Sequence, residues 1–326
     1  MDKDRKRIEK MASGFMPARI LLTACELDLF TCLGSESLSA GQIAERCSCS
    51  PEPMRRLLNA LTALGLLSKQ GEKYSNTRAT KRMLVRGRPG YLGDIMLHRQ
   101  NLWERWSKLT RIVKTGEVPP KKRTAGRERR FIQGMANLGY YSALQTARAL
   151  SSELRGAERL LDVGGGPAVY ACVFARKYPE LRITVLDLPG PLRYARRTVR
   201  AEGLTGRVRL KSCDAVKART LGRNYDFVFM SNFIHSFKAP VASMLVRKAG
   251  EALKPGGILA IKDFYINPAG TRPVFAALFS VNMLVANAGD CYSRSRVSEW
   301  MRQAGVRPVR YTTVGEHSGI LIGTKT

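Results

Sequence analysis

Residues 160–168 read Leu-Leu-Asp-Val-Gly-Gly-Gly-Pro-Ala, and this stretch decides the fold. An apolar run ends at Asp162, the glycines Gly164–Gly166 follow, and residues 169–177 have an apolar pattern with helical spacing. The order predicts a β-strand, a tight turn and the start of a helix. Glycines let a backbone pass close to a ligand, and the free amides of a helix N-terminus favour polar groups. We therefore expect a ligand site where this strand ends.

A second acid follows at the spacing of a nucleotide site. Open α/β sheets that bind nucleotides carry an acid about 20 residues on, at the end of the next strand, where it binds ribose hydroxyls. Asp187 lies there, after the apolar run 183–186. Strands alternate with helices from residue 159, which predicts a parallel sheet covered on both faces. The predicted strands are 160–163, 183–186, 208–211, 225–230 and 258–264, followed by 307–314 and 318–323.

Four motifs in this order resemble the class I S-adenosylmethionine (SAM) methyltransferases. They are Asp162–Pro167, Asp187–Pro189, Asn232–His235 and Leu253–Gly257. The chain is most similar to the hydroxyindole and caffeic-acid O-methyltransferases and their bacterial relatives, over nearly its whole length. The resemblance implies an α/β, Rossmann-like sheet with an antiparallel last strand, preceded by a mostly helical winged-helix dimerisation domain. It also implies SAM as cofactor, S-adenosylhomocysteine as product, and a homodimer.

The first third of the chain has the pattern of a winged helix. Helical spacing covers 15–33, 39–46 and 54–64, and the short strands 66–70 and 73–76 flank a turn. A winged helix is also a DNA-binding motif, so nucleic acid is the alternative partner to a second subunit. The predicted domains are 1–110 for dimerisation, 111–157 for a linker and bridging helices, and 158–326 for SAM binding.

Composition indicates a soluble globular protein. The 326 residues are 44% hydrophobic, the start is charged, and the longest apolar stretch is shorter than the ~20 residues of a membrane span. Seven scattered cysteines favour reduced thiols, and metal-ligand spacing is missing. We therefore expect a cytoplasmic protein without a membrane partner or a bound metal.

The net charge of +29 is concentrated in two segments. Residues 69–130 hold 18 Lys and Arg against five Asp and Glu, and residues 193–223 hold 10 against two. Such segments fit either an anionic partner or solvated faces rich in arginine. They contain no recognisable nucleic-acid motif, which favours solvated faces.

The resemblance assigns the cofactor site residue by residue. It implies that Gly164–Gly166 hold the methionine and sugar portions of SAM, that Asp187 binds the ribose, and that Asp214 contacts the adenine amine. Ala215 stands where the family has a large apolar residue. The expected cofactor-binding residues are Asp162, Gly164, Gly165, Gly166, Asp187, Leu188, Asp214, Ala215, Ser231 and Asn232.

Ala168 departs from the Gly-Gly-Gly-x-Gly turn that is usual in the family. Its methyl group is tolerated if φ is negative there, because alanine is then the better helix former. If the ligand must approach this position closely, the affinity for SAM falls. We expect SAM to bind.

His235 matches the general base of the plant members of the family. Transfer to a phenol needs the hydroxyl deprotonated as its oxygen attacks, and histidine titrates near neutral pH. Asp263 matches the acid beside that histidine and is expected to orient it. The alternative is a pocket histidine with no proton role. Near residues 290–294 the plant enzymes carry a second glutamate, where this chain has Tyr292.

Two bridging helices are predicted at 91–115 and 131–150, separated by a polar linker at 117–130. In the family the corresponding helices line one wall of the substrate pocket, and plain core packing is the alternative for each residue. The expected pocket residues are Phe131, Met135, Tyr141, Asn282, Met283 and Tyr292. His98 and His317 are expected to be isolated surface or structural residues.

The sequence therefore predicts a SAM-dependent methyltransferase that acts on a hydroxyl of a small aromatic or polyketide-like molecule. One alternative is an enzyme of the same fold that uses SAM without methyl transfer, as a decarboxylase or hydroxylase would. The other is a nucleic-acid-binding protein that uses the winged helix and residues 69–130.

Overall fold

A computed structural model describes residues 2–120 and 124–326. Residues 121–123, within the predicted linker and the first basic segment, lie outside the described residues. The described residues form two compact units, the first made of residues 2–101 and 129–137 and the second of residues 102–120, 124–128 and 138–326. The three domain ranges predicted from the sequence stay a prediction.

The first unit is mostly helical, with a small antiparallel sheet in the order β1-β3-β2. Its elements are α1 (Lys3–Ser13), α2 (Phe15–Glu26), α3 (Leu29–Leu33), β1 (Ser37–Ser39), α4 (Ala40–Arg46), α5 (Pro51–Ala63), β2 (Leu67–Gln70), β3 (Lys73–Asn76), α6 (Arg78–Met83) and most of α7 (Gly93–Trp106). Phe30, Leu58 and Tyr74 are buried in its core. This arrangement is the predicted winged helix, with β1 as a strand that the sequence pattern did not indicate.

Two predicted elements of the first unit differ from the structure for local reasons. The charged start of the chain forms the helix α1. Asp2 caps this helix by accepting from the Asp4 N–H, and Arg5 pairs with Glu9. The helix predicted at 15–33 is two helices, because Asp28 adopts a left-handed backbone with φ of 51°.

The second unit is a seven-stranded sheet in the order β6-β5-β4-β7-β8-β10-β9. Its elements are α8 (Leu109–Thr115), most of α9 (Ala125–Ala149), α10 (Ser151–Leu154), β4 (Arg159–Val163), α11 (Val169–Lys177), β5 (Arg182–Asp187), α12 (Pro189–Ala201), β6 (Val208–Ser212), β7 (Tyr225–Ser231), a 3-10 helix (Ile234–Ser236), α13 (Ala239–Ala252), β8 (Leu253–Asp263), α14 (Val274–Asn287), α15 (Arg294–Gln303), β9 (Val306–Val314) and β10 (Ser318–Lys325). Strands β4 to β8 are parallel. The last strand, β10, is antiparallel as predicted, and it lies between β8 and β9.

Apolar side chains fill both faces of this sheet, which explains why its strands read as continuous apolar runs. Leu160, Ile183 and Phe229 pack on one face, and Leu161 and Met230 pack on the other. The chain moves from β4 outward to β5 and β6, and then crosses to β7 and β8. The carboxyl ends of β4, β5 and β7 therefore meet at a switch point, where such sheets bind ligands.

The bridging region also differs from the sequence prediction. The helix predicted at 91–115 is divided into α7 and α8. Helix α9 begins six residues before its predicted start at Phe131. The Thr124 side chain accepts the Arg127 N–H at 3.2 Å and so caps the helix. Part of the predicted linker is thus helical. Among residues 2–120 and 124–326, no helix is both long enough and apolar enough to span a bilayer.

Candidate active site

The glycine turn after β4 is shaped by close contacts that exclude other side chains. A Cβ on Gly164 would lie 2.3 Å from the Phe233 ring, and Gly164 also has a φ of 71°. A Cβ on Gly165 would lie 2.6 Å from Asp162 Oδ2. Gly166 has a φ of 55°, and a Cβ there would meet open space. The first two glycines are therefore fixed by packing, and Gly166 presents bare backbone at the open side of the turn.

Asp187 ties this turn to the next strand. Its Oδ2 accepts the Gly166 N–H at 2.8 Å, and its Oδ1 accepts the Leu188 N–H at 2.7 Å. Burial raises the pKa of the Asp187 carboxyl, and these two backbone hydrogen bonds partly oppose the effect. Leu188 itself is exposed. The acid predicted to bind a ribose thus also orients the glycine turn.

Three buried polar atoms at the ends of β4 and β7 have no hydrogen-bond partner within the described part of the chain. They are Asp162 Oδ2, Ser231 Oγ and Asn232 Oδ1. Burial, with a smaller contribution from the nearby Asp187, raises the pKa of Asp162 to about 7. Buried polar groups normally have partners, so these atoms fit a polar ligand at the switch point. Together with the Gly166 backbone and Asp187, they suit the ribose and methionine portions of SAM.

Asp214 follows β6 and organises a single turn. Its Oδ1 accepts the N–H groups of Val216 and Lys217 at 3.0 and 3.3 Å, and Ala215 is buried in the core beside the turn. The Cys213 N–H donates to the Asp187 carbonyl at 2.9 Å. Asp214 therefore lies one strand away from Asp187, at the same edge of the sheet.

The backbone at Ala168 does not have the negative φ at which an alanine methyl group would be tolerated. It precedes α11 with a φ of 62°, in the left-handed region, and its side chain is fully buried in the core. An L-residue with a Cβ is strained in this conformation by about 1–2 kcal/mol. The glycine that is usual in the family would adopt it freely.

We therefore expect Ala168→Gly to be more stable than its matched control Ala171→Gly by about 1–2 kcal/mol. Both substitutions remove a fully buried methyl group and add entropy to the unfolded chain, but Ala168→Gly also relieves backbone strain. Ala171 is the third residue of α11, where a helical backbone favours alanine over glycine. Denaturant unfolding measures both variants, and equal losses of stability would contradict the strain argument.

His235 and Asp263 form a buried pair across the ends of β7 and β8. His235 lies in the 3-10 helix after β7, and its Nδ1 is 2.5 Å from Asp263 Oδ1. The Asp263 carboxylate also accepts the N–H groups of Phe264 at 2.8 Å and of His235 at 3.4 Å. A carboxylate acceptor assigns the proton to Nδ1 and leaves Nε2 as the basic nitrogen. The structure thus brings together the two predicted catalytic residues.

Aromatic rings that the sequence analysis did not single out surround this pair. The His235 ring stacks on Phe264 at 5.9 Å and meets the edge of Phe279 at 5.0 Å. Phe275 and Phe279 lie one turn apart on α14. His317, which was expected to be isolated, stacks on Phe275 at 4.0 Å. The spacing of the two phenylalanines is the sequence signal that could have found them. The histidine therefore lies in an apolar, ring-rich environment.

Tyr292 is placed differently from an open pocket residue. Its ring is buried against Trp300 at 4.8 Å, and its hydroxyl donates to the Phe237 carbonyl at 2.5 Å. Burial raises the pKa of Tyr292 to about 12, so its hydroxyl keeps the proton that it donates. The Asp290 N–H donates to the His235 carbonyl at 3.0 Å. The segment 290–292 thus holds the backbone at His235 and at Phe237, two residues later.

We expect Tyr292→Phe to lower kcat about tenfold with little change in the KM for SAM, because the 3-10 helix loses one anchor. Steady-state kinetics with both substrates measures this. Tyr178→Phe is the matched control, since the Tyr178 hydroxyl also donates to a backbone carbonyl, that of Ala147 at 3.0 Å. Both variants should lose similar stability, and equal kcat values in the two would refute the positioning role.

The other predicted pocket residues are divided between the two units. Phe131 and Met135 belong to the first unit, where the Phe131 ring lies 5.1 Å from His98. Tyr141 of the second unit is exposed. On α14, Asn282 Oδ1 accepts from Trp106 Nε1 at 3.0 Å, and Met283 is buried. Their pocket roles stay predictions.

The recognition helix of a DNA-binding winged helix would correspond to α5. Its two arginines, Arg55 and Arg56, both pair with Glu52 at 3.2 and 2.7 Å. Lys69 on β2 lies 3.9 Å from Glu72. These pairs lower the positive potential on the face that would meet a phosphate backbone.

The fold is that of a class I methyltransferase, and a buried histidine–aspartate pair lies at the edge of its sheet where the nucleotide site is predicted. The O-methyltransferase domain family matches residues 91–307, and the O-methyltransferase dimerisation domain family matches residues 9–86. The chain belongs to the SAM-dependent O-methyltransferase family, and SAM is its cofactor. The dimerisation domain supports a homodimer.

Individual relatives are similar over almost their whole length. The 3-hydroxy-5-methyl-1-naphthoate 3-O-methyltransferase of Streptomyces sahachiroi is 31% identical, over 97% of this chain and 94% of the relative. The tetracenomycin polyketide synthesis 8-O-methyltransferase of Streptomyces glaucescens is 31% identical, over 98% and 96%. The crystal structure of human N-acetylserotonin methyltransferase in complex with SAM has a TM-score of 0.88 at 21% identity, over 100% of this chain and 98% of that one.

Proposed function

We propose that this enzyme transfers the methyl group of SAM to a phenolic hydroxyl of a small aromatic or polyketide-like molecule, with His235 as general base. The observation that carries the proposal is the buried His235–Asp263 pair, with Nδ1 2.5 Å from Oδ1, enclosed by Phe264 and Phe279. The names of the two Streptomyces relatives, a naphthoate and a tetracenomycin methyltransferase, support the same substrate class.

The proposed acceptor is aromatic because of what surrounds the base. Phe264, Phe275 and Phe279 form a mutually packed set, with ring centroids 4.6 to 5.8 Å apart. Such rings favour edge and offset contacts with a further planar ring. A phenol also loses its proton more readily than an alkyl alcohol, which suits a neutral imidazole as base.

The chain's own residues divide the chemistry. Bound SAM supplies an electrophilic methyl group on its sulfonium. Asp263 holds the proton on His235 Nδ1, so that Nε2 takes the proton of the acceptor hydroxyl as the oxygen attacks the methyl carbon. Asp263 then stabilises the imidazolium that results. Asp187, the glycine turn and Asp214 are proposed to hold the cofactor, and near-attack positioning supplies most of the remaining rate.

A labelled-methyl assay tests the proposal. Purified enzyme is incubated with methyl-labelled SAM and three matched acceptors, namely a hydroxynaphthoate, its methyl ether and the corresponding aminonaphthoate. We expect label in the hydroxynaphthoate alone, with one S-adenosylhomocysteine formed for each methyl transferred. The methyl ether controls for transfer to ring carbon or carboxylate, and the amine tests nitrogen as acceptor.

The other outcomes separate the alternatives. Label in the amine would replace oxygen by nitrogen as the acceptor atom. Conversion of a panel of polycyclic phenol acids without consumption of SAM would favour the enzyme that uses SAM to assist decarboxylation or hydroxylation. Tight RNA or DNA binding that weakens steeply with salt, without methyl transfer to any acceptor, would favour the nucleic-acid alternative.

A further inference from the structure

A buried lysine on α13 takes no part in the chemistry proposed above. Lys248 is 6% exposed. Its Nζ donates to three backbone carbonyls, those of Ala215 at 3.0 Å, Val216 at 2.9 Å and Ala218 at 2.6 Å. An ammonium group has three N–H donors, so all of them are used on one short turn.

The opposite end of this turn is closed by Asp214. Its Oδ1 accepts the N–H groups of Val216 and Lys217, and its carbonyl accepts the Ala218 N–H at 2.8 Å. The segment 214–218 is therefore a single helical turn, with its amides capped by a carboxylate and its carbonyls capped by an ammonium. Both charges complement the dipole of the turn.

Packing alone does not explain a lysine at this position. Its neighbours on α13, Leu245, Val246 and Ala249, are buried apolar residues of the core. Burying an ammonium costs free energy that an apolar side chain would avoid, and its contacts here are uncharged carbonyls. What the lysine adds is a fixed geometry for the turn, since one isolated turn is not stable by itself.

We propose that Lys248 is a positioning residue, which holds the turn 214–218 so that Asp214 can accept a hydrogen bond from the adenine amine of SAM. This inference rests on the proposed role of Asp214 in the cofactor site. Lys248 acts from the core side of the turn and does not itself touch the cofactor.

The test compares two ligands that differ only at the adenine amine. Calorimetry gives the dissociation constants of S-adenosylhomocysteine and of its purine-riboside analogue, in which hydrogen replaces the amine. We expect the wild-type enzyme to prefer the first by about 30-fold, because the Asp214 carboxylate accepts from the amine and has no such donor in the analogue. In Lys248→Met the preference should fall to a few-fold, and Lys248→Arg, which keeps charge and donors, should restore part of it.

Arg247→Met is the matched control, because Arg247 is the adjacent residue of α13 but is exposed and pairs with Glu251. It should keep the full preference. The ratio of the two constants does not depend on the fraction of folded protein, and Lys248→Gln is a milder variant should Lys248→Met fail to fold. A folded Lys248→Met or Lys248→Gln with the wild-type ratio would overturn the role of Lys248. A wild-type enzyme that binds both ligands equally would overturn the Asp214 contact, and the inference with it.

Discussion

Replacing His235 with alanine should lower kcat about 1,000-fold and leave the affinity for SAM unchanged, because a general base contributes about 100- to 10,000-fold. The imidazole touches Asp263 and two phenylalanine rings, whereas the proposed cofactor contacts come from Asp162, the glycine turn, Asp187 and Asp214. Steady-state kinetics with a phenolic acceptor and calorimetry with SAM measure the two quantities separately.

The alanine variant leaves the Asp263 carboxylate buried without its ring partner, so stability falls as well. His235→Asn keeps an N–H donor near that carboxylate. Its kcat should fall as far as that of the alanine variant, and its loss of stability should be smaller. Asp263→Asn should also lower kcat, because its amide can donate to Nδ1 and move the proton to Nε2. His317→Ala serves as the control, since its ring contacts Phe275 and not Asp263. A His235→Asn enzyme with more than about a tenth of the wild-type kcat would make His235 a bystander.

Much of the second unit could be predicted because its pattern is local and repeated. Helix α11 lies at residues 169–177 as predicted, and the predicted strand 160–163 is one residue shorter than β4. The apolar runs are long enough to give strands, and the glycine turn marks where the first one must end. The pairing of His235 with Asp263 was expected from the resemblance, because the family has an acid beside its catalytic histidine, and the two side chains are in contact in the structure.

Other features depend on contacts that no local pattern encodes. Tyr292 gave no sign that its hydroxyl would reach Phe237, 55 residues earlier in the chain. Lys248 looks like any helical lysine until its ammonium is seen on the carbonyls of residues 215–218. Ala168 shows the same limit, because the family pattern indicated an unusual residue and only the backbone revealed its φ of 62°.

Replacing Asp187 with alanine should weaken SAM binding at least about 150-fold, because the ligand hydroxyls lose two charge-assisted hydrogen bonds worth about 1.5–3 kcal/mol each, or about 3–6 kcal/mol together. Part of this loss of affinity comes from a change in the protein and not from the missing ligand contact. Asp187 Oδ2 accepts the Gly166 N–H at 2.8 Å, so the glycine turn loses its tie to β5. Asp187→Asn keeps one carbonyl acceptor, so its affinity for SAM should lie between those of the wild type and Asp187→Ala. Calorimetry with SAM and with S-adenosylhomocysteine measures both variants.

Asp226→Ala separates loss of a ligand contact from loss of a structural aspartate. Asp226 Oδ2 also accepts two backbone N–H groups, those of Glu158 at 3.1 Å and Arg159 at 2.7 Å. It is the second residue of β7, at the opposite end of the strand from the switch point, so its loss should reduce stability and leave SAM affinity intact. If Asp187→Ala binds SAM as well as Asp226→Ala does, the ribose role is refuted. The glycine turn, Asp214 and the unpartnered atoms of Asp162, Ser231 and Asn232 must then hold the cofactor without Asp187. In that case Asp187→Asn should bind SAM as tightly as the wild type does, because its expected intermediate affinity depends on side chain 187 contacting the ligand and not on the tie to Gly166.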